Sequence, residues 1–471
     1  MLESTWFRAA LLITEVGLAA AAIGFALVRR RGPVGTIAWI LAILMFPILG
    51  ALAWFAFANP SVRRPIRKRK QIIGRFRGDR GVRVDDPVSA GAQQSLLRAV
   101  TRATGFPSSP GNRVVPFTDN RAAFARIHEG IASAERWIWA EYYALHGDGT
   151  GNTFLSHLPE RAAAGVEVRL LIDAVGSAEA NEDALSAFGR AGGHLQWFLP
   201  VNPFRRQWAV HLRNHRKVIA IDGKLGFVGG MNIGDDYAGA GPPGSFPWRD
   251  MHLCVTGPAA GDLARVFAED WCFMTDEELP LPDPPAAEGT AQVAILPSGP
   301  DQAENATGIA WFAAIGLALR RVWLTTPYFA PDEPLLAALT TAARRGLDVR
   351  VIVPRKSDMR LMTLVNRSYY PLLLESGVRV YEYMPAVIHA KTLVVDDEIA
   401  LVGSANLDRR SFRLNFEVGA LVVCPDFADA VAAAFTEARG ESQEVRRDEV
   451  AARGTLPRLV EGVAQLLTPL V

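Results

Sequence analysis

The chain has 471 residues, enough for two or three domains, with 49% hydrophobic and 21% charged residues. This balance is apolar for a soluble enzyme and predicts a membrane component. The three cysteines, Cys254, Cys272 and Cys424, form no CxxC pair and no Cys/His cluster of zinc spacing, so the sequence predicts neither a disulfide framework nor a structural metal site. The net charge of +1 conceals a basic run, "SVRRPIRKRKQIIGRFRGDR" at 61–80, with nine Lys/Arg and one Asp.

Two apolar stretches open the chain. Residues 9–28 are apolar except for Thr14 and Glu15, and residues 34–58 are apolar throughout, with Pro47 inside. Because about 20 helical residues cross a ~30 Å hydrocarbon core, both stretches are long enough to span a bilayer. The start of the chain is not basic and a second span follows at once, which argues against a cleaved signal peptide. The sequence therefore predicts a two-span transmembrane hairpin at 1–60, in which the role of Glu15 stays open.

Charges around the hairpin predict its orientation. Three arginines in the short link "RRRGP" at 29–33 oppose Arg8 and the longer basic run at 61–80, and positive residues favour the cytoplasm. The larger count lies on the side of the termini, so we expect a multi-pass membrane protein with the rest of the chain in the cytoplasm. The basic run either grips anionic headgroups, at about 1 kcal/mol per cation, or binds nucleic acid. Its place directly after a span favours lipid, and residues 61–112 are expected to form a basic juxtamembrane linker.

Beyond about residue 110, strands alternate with amphipathic helices, which predicts an α/β fold. The pattern also repeats: "ERWIWAEYYA" at 135–144 resembles "RRVWLTTPYFA" at 320–330, each an apolar strand ending in paired aromatics. "HRKVIAIDGKLGFVGGMN" at 215–232 aligns without a gap with "HAKTLVVDDEIALVGSAN" at 389–406. The residues shared by the two copies are His215 and His389, Lys217 and Lys391, Asp222 and Asp396, Gly229 and Gly403, and Asn232 and Asn406. A Pro-rich linker at 279–289 separates the copies, so the sequence predicts two halves, 113–285 and 286–471.

The spacing within each copy predicts a hairpin that carries chemistry. Residues two apart in a strand share one face, so each His points the same way as its Lys. Asp222 precedes Gly223 in the Asp-Gly pattern of a tight hairpin, and Asp396 is equivalent, which makes both mainly turn and scaffold residues. Folding back at the turn returns Asn232 to the first His. In the second copy, Ser404 and Asn406 return near His389.

Two imidazoles, two ammonium groups and polar amides in one pocket suit a phosphodiester. The lysines and amides stabilise charge on non-bridging oxygens, while one His attacks phosphorus and the other protonates the leaving alcohol. No metal motif is present and the mechanism needs no cofactor. An attacking His also needs an acid on its other ring nitrogen, for which Asp250 and Glu417 are the candidates. The other histidines are interpreted as structural: His128, His146, His157, His194, His211 and His252.

The two HxK(x)4D motifs, each followed by G-[GS]-x-N, resemble the phospholipase D superfamily. "WRDMHL" at 248–253, "TPYFAPD" at 326–332, "SGPD" at 298–301 and "FPILG" at 46–50 resemble bacterial cardiolipin synthases. The resemblance implies two pseudo-symmetric phospholipase D-like α/β/α halves with mixed sheets after the hairpin, in a protein of the bacterial inner membrane with its catalytic part in the cytoplasm. It also implies that two phosphatidylglycerols give cardiolipin and glycerol through a phosphatidyl-histidine. By the superfamily's division of labour, His215 is the nucleophile and His389 the acid/base, and Lys217, Asp222, Lys391 and Asp396 complete the motifs.

Several alternatives stay open on the sequence alone. The symmetry does not choose the nucleophile, and Gly230 stands where the second copy has Ser404. Within the superfamily, hydrolysis or another donor or acceptor is an alternative to synthesis. A membrane-tethered nuclease would use the same chemistry, although the basic excess is confined to 61–80, and a non-catalytic scaffold would not need two complete sets. We expect phosphatidylglycerol and anionic lipids as partners and no nucleic acid, with the oligomeric state open.

Overall fold

The computed structural model describes residues 2–28, 33–54, 63–77, 91–201, 211–240, 248–302 and 304–468. The chain forms two compact units, residues 1–67 and 68–471. The smaller unit contains helices α1 (Leu2–Val28), α2 (Pro33–Met45) and α3 (Pro47–Ala53). The larger unit contains the repeated motifs.

The helices of the smaller unit follow the two apolar stretches. The first predicted span lies within α1, whereas the second is divided between α2 and α3 because Pro47 begins a new helix after Phe46. The link residues 29–32 and the end of the second stretch, 55–58, lie outside the described residues. Ala22, Ala26 and Ile43 belong to the buried cluster of this unit. Within the described residues, no helix has both the length and the apolar character needed to cross a bilayer.

The remaining helices range from 4 to 18 residues. They are α4 (Arg63–Arg77), α5 (Ala92–Thr104), α6 (Asn120–Ala132), α7 (Gly149–Ala163), α8 (Glu182–Arg190), α9 (Asp235–Ala238), α10 (Pro258–Thr275), α11 (Ala306–Leu317), α12 (Glu333–Arg344), α13 (Arg360–Ser368), α14 (Tyr370–Glu375), α15 (Arg409–Arg413), α16 (Pro425–Gly440), α17 (Arg447–Ala451) and α18 (Thr455–Leu466). The strands of the first half are β1 (Ser109–Phe117), β2 (Trp137–Tyr142), β3 (Glu167–Asp173), β4 (His194–Phe198), β5 (Arg213–Asn214), β6 (Lys217–Ile221), β7 (Leu225–Gly229) and β8 (His252–Thr256). Those of the second half are β9 (Ala291–Ile295), β10 (Arg321–Thr325), β11 (Asp348–Pro354), β12 (Arg379–Tyr383), β13 (Thr392–Val395), β14 (Ile399–Gly403), β15 (Asn415–Phe416), β16 (Gly419–Val423) and β17 (Ser442–Glu444).

One mixed sheet runs through both halves. In the described part of the chain it joins fifteen strands in the order β17-β12-β11-β10-β13-β14-β16-β9-β1-β8-β7-β6-β2-β3-β4. From the antiparallel β1–β9 contact outward, β8-β7-β6-β2-β3-β4 on one side mirrors β16-β14-β13-β10-β11-β12 on the other. This order confirms the predicted α/β fold with pseudo-symmetric halves. A buried cluster with members from both halves, among them Val218 and Val394, lies at the centre.

Each repeated motif is a hairpin, as its spacing predicts. In β6–β7, Val218 pairs with Val228 and Ile221 with Leu225, so the chain reverses at Asp222. Asp222 and Asp396 both have left-handed backbones, with φ of 55° and 51°, a conformation that Asp tolerates better than most residues. Because both hairpins turn in this way, the chain after each turn runs back towards its own histidine.

The aspartate side chains bind each hairpin to the neighbouring antiparallel strand, β2 for Asp222 and β10 for Asp396. The Asp222 carboxylate accepts hydrogen bonds from the backbone N–H groups of Glu135 and Arg136 at 2.9 Å and of Trp137 at 2.8 Å, at the start of β2. Asp396 accepts the equivalent three bonds at the start of β10, from the N–H groups of residues 319, 320 and 321. Both carboxylates therefore stabilise the sheet at the end of the hairpin remote from its histidine.

Asp222→Asn is expected to lower the free energy of unfolding by about 1–3 kcal/mol, because an amide cannot accept all three charge-assisted bonds from the backbone. Thermal and denaturant unfolding of the two proteins measure this difference. Asp397→Asn is the matched control, since that turn residue is exposed and its surface ion pairs contribute about 0–1 kcal/mol. Equal losses in the two variants would contradict a scaffold role for Asp222.

Candidate active site

The first histidine is held at two points by the other half of the chain. His215 Nδ1 lies 2.9 Å from Glu417 Oε2, and the backbone N–H of His215 donates to the Phe416 carbonyl oxygen at 2.8 Å. The short strands β5 and β15 pair in parallel beside this contact, so the main chain fixes where the acid stands. The carboxylate thus orients the ring and leaves Nε2 for chemistry.

The second histidine is held in the same way, with the halves exchanged. His389 Nδ1 lies 2.8 Å from Asp250 Oδ2, and the His389 N–H donates to the Arg249 carbonyl oxygen at 2.7 Å. A bridge between Arg249 and Ile388 takes the place of the β5–β15 pair. The structure therefore brings both candidate orienting acids to imidazoles, and each acid serves the histidine of the opposite half.

Both lysines of the motifs are fully buried and lie beside their own histidine. Lys217 Nζ donates to the His215 carbonyl oxygen at 2.8 Å, and Lys391 Nζ donates to the His389 carbonyl oxygen. Lys391 Nζ also lies 3.6 Å from Asp250 Oδ2. Burial lowers the pKa of both lysines, and the attraction of nearby carboxylates opposes it only in part. The charge of Lys391 contributes to the lowered pKa of Lys217, so the ammonium forms of both lysines would be favoured by a bound anion.

Burial also determines the protonation of the histidines. It lowers the pKa of His215 to about 4, with Glu417 opposing this and Lys217 reinforcing it. The pKa of His389 is lowered as well, by burial and then by the charge of Lys391. Without a bound anion, neutral imidazole is favoured at both positions.

The orienting acids remain ionised although both are buried. For Asp250 and for Glu417, burial alone would raise the pKa. Neighbouring groups outweigh it, above all Lys391 for Asp250 and His215, with Lys217 and the Ser404 hydroxyl, for Glu417, and the pKa of each acid falls below its usual value. Ionised carboxylates can stabilise an imidazolium as it forms.

The predicted phosphate-binding groups differ in how far they are engaged. The Asn232 amide donates to the Tyr237 hydroxyl at 3.0 Å and accepts from the Ala144 N–H at 3.3 Å. Ser404 Oγ donates to Glu417 Oε2 at 2.5 Å. Asn406 Oδ1 is buried and has no hydrogen-bond partner among the described residues. The structure thus gives Asn232 and Ser404 partners within the protein, and their role towards phosphate stays a prediction.

The difference between Gly230 and Ser404 has a steric basis. A Cβ at position 230 would collide with the Asp250 carboxylate. In the second copy the acid is Glu417, whose carboxylate accepts the Ser404 hydroxyl. A shorter acid therefore stands over a glycine in one half, and a longer acid binds a serine in the other.

Aromatic residues surround both imidazoles, and sequence reasoning had not assigned them to the site. The Tyr143 ring lies 4.9 Å from the His215 ring, and its centroid is 5.3 Å from Lys217 Nζ. Tyr237 Oη lies 3.3 Å from His389 Nδ1, and the Trp248 ring lies 5.1 Å from the His389 ring. The paired aromatics at the end of β2 were the available signal for Tyr143. Tyr237 and Trp248 have no counterpart at the same spacing in the second motif.

The sequence family described as "Cardiolipin synthase, PLD-like domain" matches residues 127–240 and 312–439, which contain all four motif histidines and lysines. A second family, "Phospholipase D-nuclease N-terminal", matches residues 17–59. The chain is 37% identical over 454 residues to a cardiolipin synthase of Geobacillus kaustophilus, covering 94% of this chain and 90% of the relative. It is 35% identical over 470 residues to cardiolipin synthase A of Pseudomonas fluorescens, covering 98% and 97% of the two chains.

Solved structures share the fold at lower sequence identity. A phosphatidylserine synthase of Haemophilus influenzae aligns with a TM-score of 0.60 and 16% identity, covering 80% of this chain and 98% of that one. A polyphosphate kinase of Porphyromonas gingivalis aligns with a TM-score of 0.50 and 12% identity, covering 75% of this chain and 53% of that one. The matched families and the full-length relatives together carry the assignment: the chain belongs to the cardiolipin synthase family, of the phospholipase D-like type.

Proposed function

We propose that the protein is a phosphatidyltransferase that makes cardiolipin from two phosphatidylglycerols and releases glycerol. The observation that carries the proposal is the pair of imidazoles, each on a carboxylate of the opposite half and each beside a buried lysine. Each site thus combines a nitrogen base, an acid that orients it and a buried lysine, the groups that displacement at a phosphodiester uses.

The first half-reaction transfers the phosphatidyl group to His215. Neutral Nε2 attacks phosphorus, the bond from phosphorus to the glycerol oxygen breaks, and His389 gives its Nε2 proton to that oxygen. Phosphodiester charge raises the pKa of His389 when substrate binds, because it offsets the charge of Lys391. Lys217 and Lys391 stabilise the charge on the non-bridging oxygens.

The second half-reaction regenerates the enzyme. His389, now neutral, takes the proton of a hydroxyl on the second phosphatidylglycerol, whose oxygen attacks phosphorus. The bond between phosphorus and His215 breaks, cardiolipin leaves, and His215 is neutral again. Glu417 and Asp250 keep the two rings in place and compensate the imidazolium charge in turn.

We further propose that the substrates come from the membrane in which the chain is anchored. The two apolar stretches at 9–28 and 34–58 and the basic run at 61–80 support contact with anionic phospholipid. The charge asymmetry of the sequence favours a multi-pass protein of the inner membrane with the catalytic unit on the cytoplasmic side.

The product identifies the reaction. Purified protein in mixed micelles with phosphatidylglycerol is expected to form cardiolipin and glycerol in equal amounts, measured by thin-layer chromatography and an enzymatic glycerol assay. Phosphatidic acid in place of cardiolipin would show a hydrolase. Cleavage of nucleic acid without lipid turnover would show a nuclease.

The two histidines are expected to fail at different steps. His215→Ala and His389→Ala should each abolish cardiolipin synthesis, while His194→Ala, an exposed residue of β4, should keep wild-type activity. With phosphatidyl-p-nitrophenol, whose leaving group needs no protonation, His389→Ala is expected to release one equivalent of nitrophenolate and accumulate a phosphatidyl-histidine. Mass spectrometry of the acid-labile adduct locates it. An adduct on His389 in the His215→Ala protein would reverse the two roles.

The pH dependence follows from the buried state of His215. Attack needs the neutral ring, and the pKa of His215 is lowered to about 4, so kcat/KM is expected not to fall as pH decreases from 7.5 to 5.5. A histidine of ordinary pKa would lose about tenfold over this range. A tenfold fall would therefore contradict the assignment of His215 as a buried nucleophile.

Glu417→Gln is expected to reduce kcat by about 10²–10⁴-fold, because the neutral amide holds the ring of His215 poorly and does not stabilise an imidazolium. The acid side of the pH–rate profile should not shift to higher pH in this variant. The Glu417 carboxylate raises the pKa of His215, so removing that charge lowers the pKa further. Asp250→Asn is the matched change at His389, and with phosphatidyl-p-nitrophenol it should leave the burst much less affected than Glu417→Gln. Equal effects of the two variants on the burst would contradict the cross-half division of labour.

A further inference from the structure

One cation of the basic helix α4 is buried. Arg69 is 1% exposed, whereas its neighbour Lys70 is exposed. Arg69 Nε donates to Asp301 Oδ2 at 2.9 Å, and Arg69 also forms an ion pair with Asp270. The run at 61–80 was expected to face lipid headgroups, but this arginine cannot, because it is enclosed by carboxylates of the catalytic unit.

The guanidinium of Arg69 also covers an aromatic residue next to the active site. Its central carbon lies 4.6 Å from the centroid of the Phe416 ring, within the range of a cation–π contact. Phe416 precedes Glu417, and its carbonyl oxygen accepts the backbone N–H of His215. The strand that Arg69 covers therefore supplies both of the contacts that hold His215.

A second arginine, Arg216, contacts the same residues as Arg69; Arg69, Arg216, Asp270 and Phe416 together are called the clamp below. Arg216 donates to Asp270 Oδ2 at 2.5 Å and to the Glu417 carbonyl oxygen at 3.0 Å. Arg69 and Arg216 thus share Asp270 between them and both lie over the Phe416 ring. Without Arg69, Asp270 would keep one cation and Asp301 would lose its ion pair, in a region where unpaired charge is costly.

The site of His389 has an equivalent arrangement without a residue from α4. Arg249 occupies the position of Phe416, and Glu437 that of Asp270, since the members of each pair lie 167 positions apart in the chain. Arg249 donates to Glu437 at 2.7 Å in a surface ion pair, so the cation at this site comes from the residue that precedes Asp250. At the site of His215 the residue before the acid is phenylalanine, and a cation over its ring comes from α4, outside both repeats.

We propose that Arg69 is a positioning residue for His215: it neutralises Asp270 and Asp301, covers Phe416, and so fixes the strand that carries Glu417. This rests on the proposed function only in taking His215 as the attacking group. Arg69 touches no reacting atom, and its effect is on the rate of adduct formation. From Lys68 onward, the segment predicted to be a lipid-binding linker therefore belongs to the catalytic unit.

The test compares Arg69→Lys with Phe416→Leu and with Lys70→Met. Arg69→Lys keeps the charge but loses the planar fork and the stacking contact, Phe416→Leu keeps an apolar side chain but loses the ring, and Lys70→Met removes one cation from the same helix. We expect both clamp variants to lower the burst rate with phosphatidyl-p-nitrophenol by about ten- to a hundredfold, as small misplacements of reacting groups do. KM and binding to phosphatidylglycerol vesicles should change less than about twofold.

Lys70→Met should show the opposite pattern, with an unchanged burst rate and at most weaker vesicle binding. Circular dichroism and thermal melting establish the folded fraction, and rates are expressed per folded molecule; if Arg69→Lys does not fold, Phe416→Leu decides. A wild-type burst rate in the folded variants, or a loss confined to vesicle binding, would overturn the proposal. Because the burst reports the adduct and not the acceptor, a wild-type enzyme that forms phosphatidic acid would refute cardiolipin synthesis without refuting the role of Arg69.

Discussion

The exchange of carboxylates between the two halves is the constraint on which the site depends. His215 is oriented by Glu417 and His389 by Asp250, with the main chain of each acid's strand holding the same histidine a second time. Neither half contains a complete pair by itself. Separation of the halves would leave each imidazole without its carboxylate, so the site depends on the sheet contact between β1 and β9 and on the shared core.

Duplication has preserved the chemistry while the packing around it has diverged. One half places a short acid against a glycine, and the other places a longer acid against a serine hydroxyl. Each arrangement brings a carboxylate oxygen within 2.8–2.9 Å of an imidazole Nδ1. The residue before each acid also differs: Arg249, which pairs with Glu437, precedes Asp250, and Phe416, which Arg69 covers, precedes Glu417. The two sites therefore share the distance between carboxylate and imidazole, but different residues hold each carboxylate in place.

Much of the fold and the centre of the site could be predicted from repetition. The gapless match of 215–232 with 389–406 identified both hairpins, both His/Lys pairs and the aspartates at the turns, and hairpin geometry is local. Asp250 and Glu417 were identified as acids, but their spacing is compatible with pairing inside one half or across halves. The parallel contact of β5 with β15 and the bridge between Arg249 and Ile388 decide between these pairings, and such contacts between distant segments leave no period in the sequence.

Other features could not be read from the sequence for a different physical reason. A run of cations after an apolar stretch is typical of a surface that binds lipid headgroups. Nothing in the local sequence distinguishes a buried cation such as Arg69 from its exposed neighbours. Tyr237 reaches the site through its contacts with Asn232 and His389, and no repeat marks it. Burial and partner choice are tertiary properties in both cases.

The burial of Arg69 also sets a limit on how the enzyme can be divided. A soluble fragment that began at the first repeat would keep Asp270 and Asp301 but lose the arginine between them. Its active site would contain every motif residue but would lack the contact of Arg69 with the Phe416 ring. A fragment intended for crystallisation or inhibitor screening should therefore begin before Lys68, where the compact catalytic unit starts.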